Sequence, residues 1–427
     1  MEIHQLYEIF RQHPVVTTDS RDCPEGSLFF ALKGDTFNGN AYAQAALDSG
    51  CAYAVVDEAA YATDPRVILV DDVLHTLQQL ANYHRRQLGT PIVGVTGTNG
   101  KTTTKELIST VLSKKYNTHF TKGNFNNHIG VPKTLLQLTP THEMAVIEMG
   151  ANHPGEIKTL VDIVEPDYGI ITNVGKAHLL GFGSFEGVIK TKGELYDYLR
   201  EHGGKIFLNN DNPYLKGISC GLESITYGQH DAENLSVKGE LLDCSPFLHF
   251  KWNDHDVQTH LIGAYNIDNA LAAATIGHYF GVPDDDISQA MADYVPSNNR
   301  SQLEKTKDNT IIIDAYNANP TSMAAALQNF KLMKSDHKMC ILGNMGELGD
   351  VSAEEHQKIV DMLQEMSFEK VWLVGEEFVK TPCPETFVLF NNVEEVKQVL
   401  SAEKPKGMTI LVKGSNSTRM FELPKYL

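Results

Sequence analysis

A glycine loop between an apolar run and a helix-forming stretch constrains this chain more than any other feature. The β-branched residues up to Thr96 predict a buried strand. Gly97 and Gly100 let the backbone turn and approach an anion, and a helix that begins at Lys101 would point its free amides at that anion. We expect Lys101 to reach the outer phosphates of a nucleotide and the Thr102 hydroxyl to hold magnesium.

The loop is shorter than the usual phosphate loop. Val95 stands where a first glycine would fall, five residues before Gly100, and Gly97 provides the turn instead. Because strand, loop, Gly-Lys-Thr and helix keep their order, a nucleotide site is favoured over an accidental turn between a strand and a helix. The short loop argues against ordinary GTPases and kinases of the phosphate-loop class.

Composition excludes several classes of protein. The 427 residues, of which 42% are hydrophobic, predict about two to four domains. A net charge of −18 disfavours a general nucleic-acid binder. The six cysteines lack paired or metal-ligand spacing, which fits a reducing compartment. Without a basic leader or a run of eighteen apolar residues, we expect a cytoplasmic protein with no membrane insertion.

An anionic ligand in an acidic chain requires cations to be concentrated locally. A lysine or arginine taken alone is usually solvated surface, so each of these residues is only a candidate. The candidates are Lys101, Lys122, Lys192, Arg300 and Lys413.

Strand and helix patterns alternate in three blocks, at 1–88, 89–298 and 299–427. Apolar runs separated by helices predict an α/β fold with mostly parallel sheets that are buried on both faces. The predicted strands are 27–32, 52–56, 144–149, 168–173, 205–209, 310–314, 339–343, 371–375 and 409–413, and the helical stretches of the first block are 40–49 and 72–87. A polar, proline-containing linker is expected near 295–299.

Polar residues follow two strands of the second block. Ligands of open α/β sheets bind outside the carboxyl ends of the strands. Glu148 ends an otherwise apolar strand, as a magnesium-binding acid would when the metal also meets Thr102 and phosphate. A helix-capping or surface carboxylate is the alternative. His178 follows another strand through a glycine turn, and such a histidine alone is usually structural or solvated.

Several segments together resemble a known family, the ATP-dependent Mur ligases of bacterial cell-wall synthesis. The resemblance spans nearly all of the chain. The segments that carry it are 97–102 (GTNGKT), 148–152 (EMGAN), 173–178 (NVGKAH), 192–194 (KGE), 263–270 (GAYNIDNA), 314–320 (DAYNANP), 343–349 (GNMGELG) and 413–415 (KGS).

The resemblance implies three domains, with bounds that coincide with the three blocks. They are a small α/β domain that binds a UDP-sugar (1–88), a central phosphate-loop ATPase domain with a mostly parallel sheet (89–298), and a C-terminal Rossmann-like domain (299–427). It also implies that Ser20, Arg21 and Lys33 bind the UDP-substrate, and that Asn126 and Asn127 lie in a substrate-binding loop. Without the resemblance, the segments that contain these residues predict only a turn, a strand and a glycine-rich turn.

The reaction implied by the resemblance is amide-bond formation driven by ATP. The γ-phosphoryl group of ATP would pass to the terminal carboxylate of a UDP-N-acetylmuramoyl-tripeptide and form an acyl phosphate. The amine of D-alanyl-D-alanine would then attack and expel phosphate, giving the pentapeptide precursor of peptidoglycan. We expect a monomer. The third residue of the tripeptide, lysine or diaminopimelate, stays open.

The resemblance also implies a catalytic set of Lys101, Glu148, His178 and Lys192, with two magnesium ions. Thr102 and Glu148 would belong to one metal site. His178 and a carbamate formed on Lys192 would support the other. Carbon dioxide adds only to an uncharged lysine amine, so the carbamate requires a lowered pKa. The alternative for Lys192 is a solvated helix lysine.

ATP-binding residues follow from the same resemblance. The loop contributes Gly97, Thr98, Asn99, Gly100, Lys101, Thr102 and Thr103. Asn266 and Asn269, on one face of a helix, would lie near adenine. Arg300 would contact the phosphates of ATP, and Asp314 would bind its ribose. The last two reach ATP only if the third domain closes, which predicts a hinge near 296–302.

The chain departs from the family pattern at two points. Tyr265 stands where the family often has histidine, and Asn416 stands where it often has arginine, with Arg419 three residues later. Lys413 is therefore the preferred contact for the incoming peptide.

Three alternatives remain open at this stage. The related ligase that adds the third amino acid is disfavoured by segments 314–320 and 343–349. Folylpolyglutamate synthase lacks the Asp-Ser-Arg region of the first block. A nucleotide-dependent switch or motor would leave the segments around His178 and Lys192 unexplained.

Overall fold

The computed structural model describes residues 1–230, 235–297 and 300–427. Its N-terminal region contains a parallel sheet of order β1-β2-β5-β6 and a small antiparallel hairpin, β3-β4. The elements are α1 (Ile3–Gln12), β1 (Val16–Thr17), β2 (Leu28–Phe30), β3 (Lys33–Gly34), β4 (Phe37–Asn38), α2 (Ala43–Asp48), β5 (Tyr53–Val56), β6 (Val67–Leu69) and α3 (Val73–Leu88). Asp72 caps α3 by accepting a bond from the His75 amide, and Gly89, in the left-handed region, ends it.

The central region is built on a sheet of order β15-β14-β13-β12-β11-β10-β7-β9-β8. Its strands are β7 (Ile92–Thr96), β8 (Thr118–Phe120), β9 (Met144–Glu148), β10 (Tyr168–Ile171), β11 (Lys205–Asn209), β12 (Glu223–Gly228), β13 (Val237–Asp243), β14 (Phe247–Trp252) and β15 (His255–Ile262). Its helices are α4 (Lys101–Leu112), α5 (Gly130–Leu135), α6 (Glu156–Val164), α7 (Leu179–Phe182), α8 (Phe185–His202), α9 (Pro213–Ile218), α10 (Asn266–Tyr279) and α11 (Asp284–Asp293). Strands β7 to β13 pair in parallel, and β14 and β15 extend the edge antiparallel.

The C-terminal region carries a sheet of order β16-β17-β21-β18-β19-β20, parallel except for β16. Its elements are β16 (Gln302–Lys305), β17 (Thr310–Asp314), α12 (Pro320–Leu332), β18 (Lys338–Gly343), α13 (Ser352–Met366), β19 (Lys370–Val374), α14 (Glu376–Lys380), β20 (Val388–Phe390), α15 (Val393–Ala402) and β21 (Thr409–Lys413). Asn319 caps α12, and Pro320 occupies its first turn, where a missing N–H costs nothing.

The predicted α/β class with mostly parallel sheets is confirmed, and the strands 205–209, 310–314 and 409–413 have the predicted bounds. The antiparallel edge β14-β15 was not anticipated, because its alternation of exposed and buried residues differs from the apolar runs used to find the other strands. The expected linker and hinge include residues 298 and 299, which lie outside the described part of the chain. Across the described residues, no helix combines the length and apolar character needed to cross a membrane.

Candidate active site

The phosphate loop connects β7 to α4 at the carboxyl edge of the central sheet. Gly97 has φ of +143°, and a Cβ there would stand 2.0 Å from Thr172 Oγ1. Gly100 has φ of +77° and lies directly before the first residue of α4. Residues that carry a side chain rarely adopt these backbone angles. The backbone conformation of the loop therefore requires glycine at both positions. The amides at the start of α4 are left for a ligand.

Residues of the neighbouring strand end hold the loop in place. Asn173 Oδ1 accepts a hydrogen bond from the Asn99 amide at 3.0 Å, and Thr172 Oγ1 donates to the Asn99 carbonyl at 2.6 Å. The Gly175 amide donates to Thr98 Oγ1 at 3.0 Å. The loop is therefore fixed by the segment that leads to His178.

Lys101 folds back over the loop that precedes it. Its Nζ donates to the carbonyls of Gly97 at 2.8 Å and Thr98 at 3.0 Å. Burial lowers the pKa of Lys101 to about 8, against the opposing attraction of Glu148. A phosphate would offer the ammonium group the counter-charge that these neutral carbonyls do not supply.

Glu148 ends β9 and is 1% exposed. Its Oε1 accepts bonds from Thr102 Oγ1 at 3.2 Å and Asn126 Nδ2 at 2.8 Å. Its Oε2 is buried and has no hydrogen-bond partner among the described residues. A buried carboxylate oxygen beside a threonine hydroxyl is a suitable donor pair for magnesium. In the described residues, no three His, Cys, Asp or Glu side chains gather into a metal site. Phosphate oxygens and water would have to complete the coordination shell.

Lys192 lies on α8 and is 2% exposed. Its Nζ donates to the Ala151 carbonyl at 3.1 Å and stands 5.1 Å from the centre of the Phe182 ring. Burial, reinforced by the charge of Lys101, holds the pKa of Lys192 well below its ordinary value. Only the neutral amine has the free electron pair that attacks the carbon of carbon dioxide, with loss of a proton, so the residue has the chemistry that a carbamate requires.

His178 lies directly before α7 with a left-handed backbone, φ +51°. Its Nδ1 contacts Glu347 Oε2, and the Glu347 carbonyl accepts a bond from the Leu180 amide at 3.3 Å. Burial lowers the pKa of His178, while Glu347 opposes that change. The histidine is thus held between the central and C-terminal regions.

The start of α10 forms another side of the site. Asn269 Nδ2 donates to Asn266 Oδ1 at 2.8 Å, and Thr104 Oγ1 donates to Asn269 Oδ1 at 2.9 Å. A Cβ on Gly100 would stand 2.6 Å from Asn269 Oδ1. The two asparagines therefore share one helix face, as their spacing predicted, and they contact the phosphate-loop segment.

The C-terminal region contributes the three charged residues predicted for it, Arg300, Asp314 and Lys413. The Arg300 guanidinium stacks 3.9 Å above the Tyr316 ring. Its Nε is buried and has no hydrogen-bond partner within 1–230, 235–297 and 300–427. Asp314 and Lys413 occupy paired positions on β17 and β21, and Lys413 Nζ donates to Asp314 Oδ2 at 2.6 Å. Lys413 is 1% exposed, so this pair lies inside the site rather than on the surface.

A cavity of about 880 Å³ joins these groups. Most of the residues predicted for the site line it. These are Thr98, Asn99, Gly100, Lys101, Thr102, Thr103, Asn126, Asn127, Glu148, His178, Asn266, Asn269, Arg300, Asp314 and Lys413. Gly97 and Lys192 are not part of the cavity lining. Gly97 allows the turn of the phosphate loop, and Lys192 donates to the carbonyl of the lining residue Ala151. Ser20, Arg21 and Lys33 lie outside the lining.

Among these three N-terminal residues, Arg21 and Lys33 are exposed and Ser20 is partly buried. Arg21 is exposed and forms an ion pair with Asp19 at 2.8 Å. Lys33 contacts Asp57 at 3.0 Å. The adjoining Thr18 accepts a long hydrogen bond, 3.5 Å, from Lys133 of the central region. The Asp19–Arg21 turn therefore lies next to a residue that contacts the central region.

The structure adds contacts that motif reading did not assign. Asn319 Nδ2 donates to Asn99 Oδ1 at 2.8 Å, which joins the cap of α12 to the phosphate loop. Asn173 and Glu347 anchor Asn99 and His178. All three stand in segments that the resemblance singled out, but only the folded chain brings them to their partners.

Family models match the three regions. The Mur ligase family catalytic domain matches residues 14–85, the Mur ligase middle domain matches 95–277, and the Mur ligase glutamate ligase domain matches 299–416. Together they cover well over half of the chain.

Known proteins that are similar in sequence and in structure indicate the same family. UDP-N-acetylmuramoyl-tripeptide–D-alanyl-D-alanine ligase of Bacillus subtilis is 36% identical, over 96% of this chain and 92% of that protein. The crystal structure of MurF from Acinetobacter baumannii has a TM-score of 0.85 at 31% identity, covering 96% and 92% of the two chains. MurF from Thermotoga maritima in complex with ADP has a TM-score of 0.86 at 26% identity, covering 96% of each.

Two alternatives weighed from the sequence are represented among less similar structures. A UDP-N-acetylmuramoyl-L-alanyl-D-glutamate–2,6-diaminopimelate ligase is 17% identical, and folylpolyglutamate synthase of Mycobacterium tuberculosis is 14% identical. Identities this low indicate a shared fold alone. With its three matched regions and its full-length relatives, the chain belongs to the Mur ligase family.

Proposed function

We propose that this chain is an ATP-dependent ligase that joins D-alanyl-D-alanine to UDP-N-acetylmuramoyl-tripeptide through an acyl phosphate. The observation that carries the proposal is the single cavity in which the phosphate loop and Glu148 of one region meet Arg300 and Asp314 of another. A nucleotide bound there would contact both regions at once. The names of the full-length relatives indicate the substrates, and the ADP complex of the Thermotoga maritima protein indicates the class of nucleotide.

The first chemical problem is to bring two anions together. Lys101 and the free amides of α4 would hold the outer phosphates, and Arg300 would hold them from the opposite region. Thr102 and Glu148 fit one magnesium ion, whose charge would reduce the repulsion between ATP and the substrate carboxylate. The γ-phosphoryl group would then pass from ATP to that carboxylate. A carboxylate oxygen would form the P–O bond of the acyl phosphate, while the bond between the γ-phosphorus and the β–γ bridging oxygen breaks and ADP leaves.

The second step replaces phosphate by the amine of the dipeptide. The amine nitrogen forms a bond to the carbonyl carbon, loses a proton, and expels phosphate from a tetrahedral intermediate. We expect His178 and a carbamate on Lys192 to support a second magnesium ion on this side. The buried, weakly basic amine of Lys192 is the feature that favours the carbamate.

The remaining site residues would position the organic substrates. Ser20, Arg21 and Lys33 are assigned to the UDP-substrate, with Asn126 and Asn127 closer to the reacting carboxylate. Asn266 and Asn269 are assigned to adenine, and Asp314 is assigned to ribose. Lys413 is assigned to the incoming dipeptide. We propose the bounds 1–88, 89–298 and 299–427 for the three domains, and a monomer that works in the cytoplasm.

The decisive experiment measures phosphate release with ATP, UDP-N-acetylmuramoyl-tripeptide and D-alanyl-D-alanine, each omitted in turn. We expect release only when all three are present, with a pentapeptide product in the mass spectrum. A switch or motor would hydrolyse ATP without the dipeptide. Addition of a single amino acid to a UDP-linked dipeptide, or of glutamate to a folate, would support a relative instead.

Lys192→Ala tests the proposed carbamate. Removing the amine should lower ligation by a factor of at least about 100, the scale on which charge-stabilising groups act in catalysis. Binding of ADP, measured by calorimetry, should persist. Lys190→Ala on the exposed face of the same helix is the control and should ligate normally. Full turnover by Lys192→Ala would refute the carbamate.

A further inference from the structure

The side chain of Asn126 is committed to the carboxylate of Glu148. Its Nδ2 donates to Glu148 Oε1 at 2.8 Å, and Thr102 Oγ1 approaches the same oxygen at 3.2 Å. The other oxygen, Oε2, receives no hydrogen bond from the part of the chain that the structure describes, although Glu148 is only 1% exposed. Both available donors therefore act on one side of the carboxylate, and the second oxygen is left for another partner.

An unpartnered buried carboxylate oxygen is costly, and a cation relieves that cost. Because one oxygen is saturated by neutral donors, the orientation of the carboxylate is fixed before any cation arrives. Groups that orient a metal ligand through a hydrogen bond have a large effect on metal affinity.

The position of Asn126 is fixed by a second, independent feature. The Gly150 amide donates to the Asn126 carbonyl at 2.8 Å. A Cβ on Gly150 would stand 3.0 Å from the amide carbon, nitrogen and oxygen of Asn126. The absence of a side chain at residue 150 thus leaves the space that the amide occupies beside Glu148.

We infer that Asn126 is a positioning residue for Glu148: its amide holds Oε1 and leaves Oε2 available to the divalent cation that accompanies the nucleotide. The inference rests on the proposed function only for the presence of that cation. It assigns Asn126 a role in the nucleotide half of the reaction, in addition to any contact with the UDP-substrate.

Asn127 provides a matched comparison within the same loop. Its Oδ1 accepts bonds from the Gly130 amide at 2.8 Å and the Ile129 amide at 3.1 Å, at the start of α5. Asn127 therefore stabilises the backbone at the start of α5 and does not hold the carboxylate of Glu148. Replacing it removes an amide of the same size without altering the contact to Glu148.

The test measures Mn²⁺ binding by electron paramagnetic resonance in the presence of ADP, without UDP-substrate or dipeptide. We expect Asn126→Ala to weaken Mn²⁺ binding about tenfold or more, and Asn127→Ala to leave it unchanged while lowering the melting temperature. Gly150→Ala should weaken Mn²⁺ binding in the same direction, and it serves if Asn126→Ala does not fold. Equal Mn²⁺ affinity in the wild type and the folded Asn126 and Gly150 variants would overturn the inference.

Two further outcomes separate the inference from the proposed function. If Asn126→Ala binds Mn²⁺ normally and only raises the KM for the UDP-substrate, Asn126 is a substrate contact and the inference is wrong. If the wild type binds Mn²⁺ with ADP and Asn126→Ala does not, the inference stands even if no ligation is detected, and the proposed function fails alone.

Discussion

The N-terminal and C-terminal regions meet the central region in different ways. Leu77 and Leu80 of α3 are fully buried in one continuous apolar core with Leu135 of α5 and Ile163 of α6. Around the cavity, by contrast, the C-terminal region makes polar contacts, such as Asn319 with Asn99. Ile262, at the end of β15, is an apolar contact with the C-terminal core.

This difference separates a fixed part of the site from a part that can move. Removing the N-terminal region would expose a large apolar surface, so it and the central region should unfold together. Polar contacts exchange readily with water and cost little to break. A rotation of the C-terminal region would move Arg300 relative to the phosphate loop, and the hinge near 296–302 stays a prediction.

The largest effect should follow from damage to the apolar junction. Leu80→Ala should lower the free energy of unfolding by about 2–5 kcal/mol, because it leaves a cavity between two regions. Urea denaturation followed by circular dichroism measures the change. The control is Leu332→Ala, because Leu332 is the last residue of α12 and is 70% exposed. This substitution should change the free energy of unfolding by less than about 0.5 kcal/mol. Equal effects at both positions would contradict a shared core.

An intermediate effect should come from the outer surface of the fixed part. Arg21→Ala should raise the KM for the UDP-substrate about tenfold, because a bond from a guanidinium to an anion is worth about 1.5–3 kcal/mol. The KM for ATP should not change. Arg66→Ala is a suitable control, since Arg66 forms a similar exposed pair with Asp64. A KM for the UDP-substrate equal to that of the wild type would remove Arg21 from the site.

The smallest effect should belong to a polar contact across the movable junction. Lys176 of the central region contacts Glu355 of α13 at 3.1 Å, with half of the lysine side chain exposed. A double-mutant cycle of Lys176→Ala and Glu355→Gln should give a coupling of about 0.2–1 kcal/mol in kcat/KM, declining as salt is added. Lys380→Ala, which removes a contact to Glu376 within α14 and shares no partner with Lys176, should show no coupling with Lys176→Ala. A coupling several times larger would mean that the junction is rigid.

The fold class predicted from the sequence is confirmed, and most of the residues predicted for the site line one cavity, whereas their roles stay predictions. Gly97, Gly100 and the apolar run before them determine a strand, a turn and a helix within a few residues. Glu148 could be found because a carboxylate at the end of an apolar run is unusual. The family resemblance then added Arg300 and Asp314, which no local pattern would have joined to the phosphate loop.

Long-range partners were beyond prediction because they depend on how the regions pack. Asn319 and Asn99 are 220 positions apart, and nothing near either residue indicates the contact. The pairing of Lys413 with Asp314 follows from the register of β17 and β21, which the strand patterns alone do not determine. The low basicity of Lys192 likewise arises from the depth at which α8 packs, whereas its spacing in the sequence is compatible with a solvated helix.

The pairing of Asp314 with Lys413 limits how the C-terminal region can be drawn toward ATP. The opposite charges of the two side chains cancel at the strand ends, so the pair adds little net attraction for a polyphosphate. Within the C-terminal part of this cavity, Arg300 would then provide the positive charge that attracts the nucleotide. A ribose hydroxyl that donates to Asp314 would weaken the hold of that carboxylate on the lysine ammonium group. Nucleotide binding would then release a cation for the carboxylate end of a peptide, so that occupation of one substrate site prepares the next.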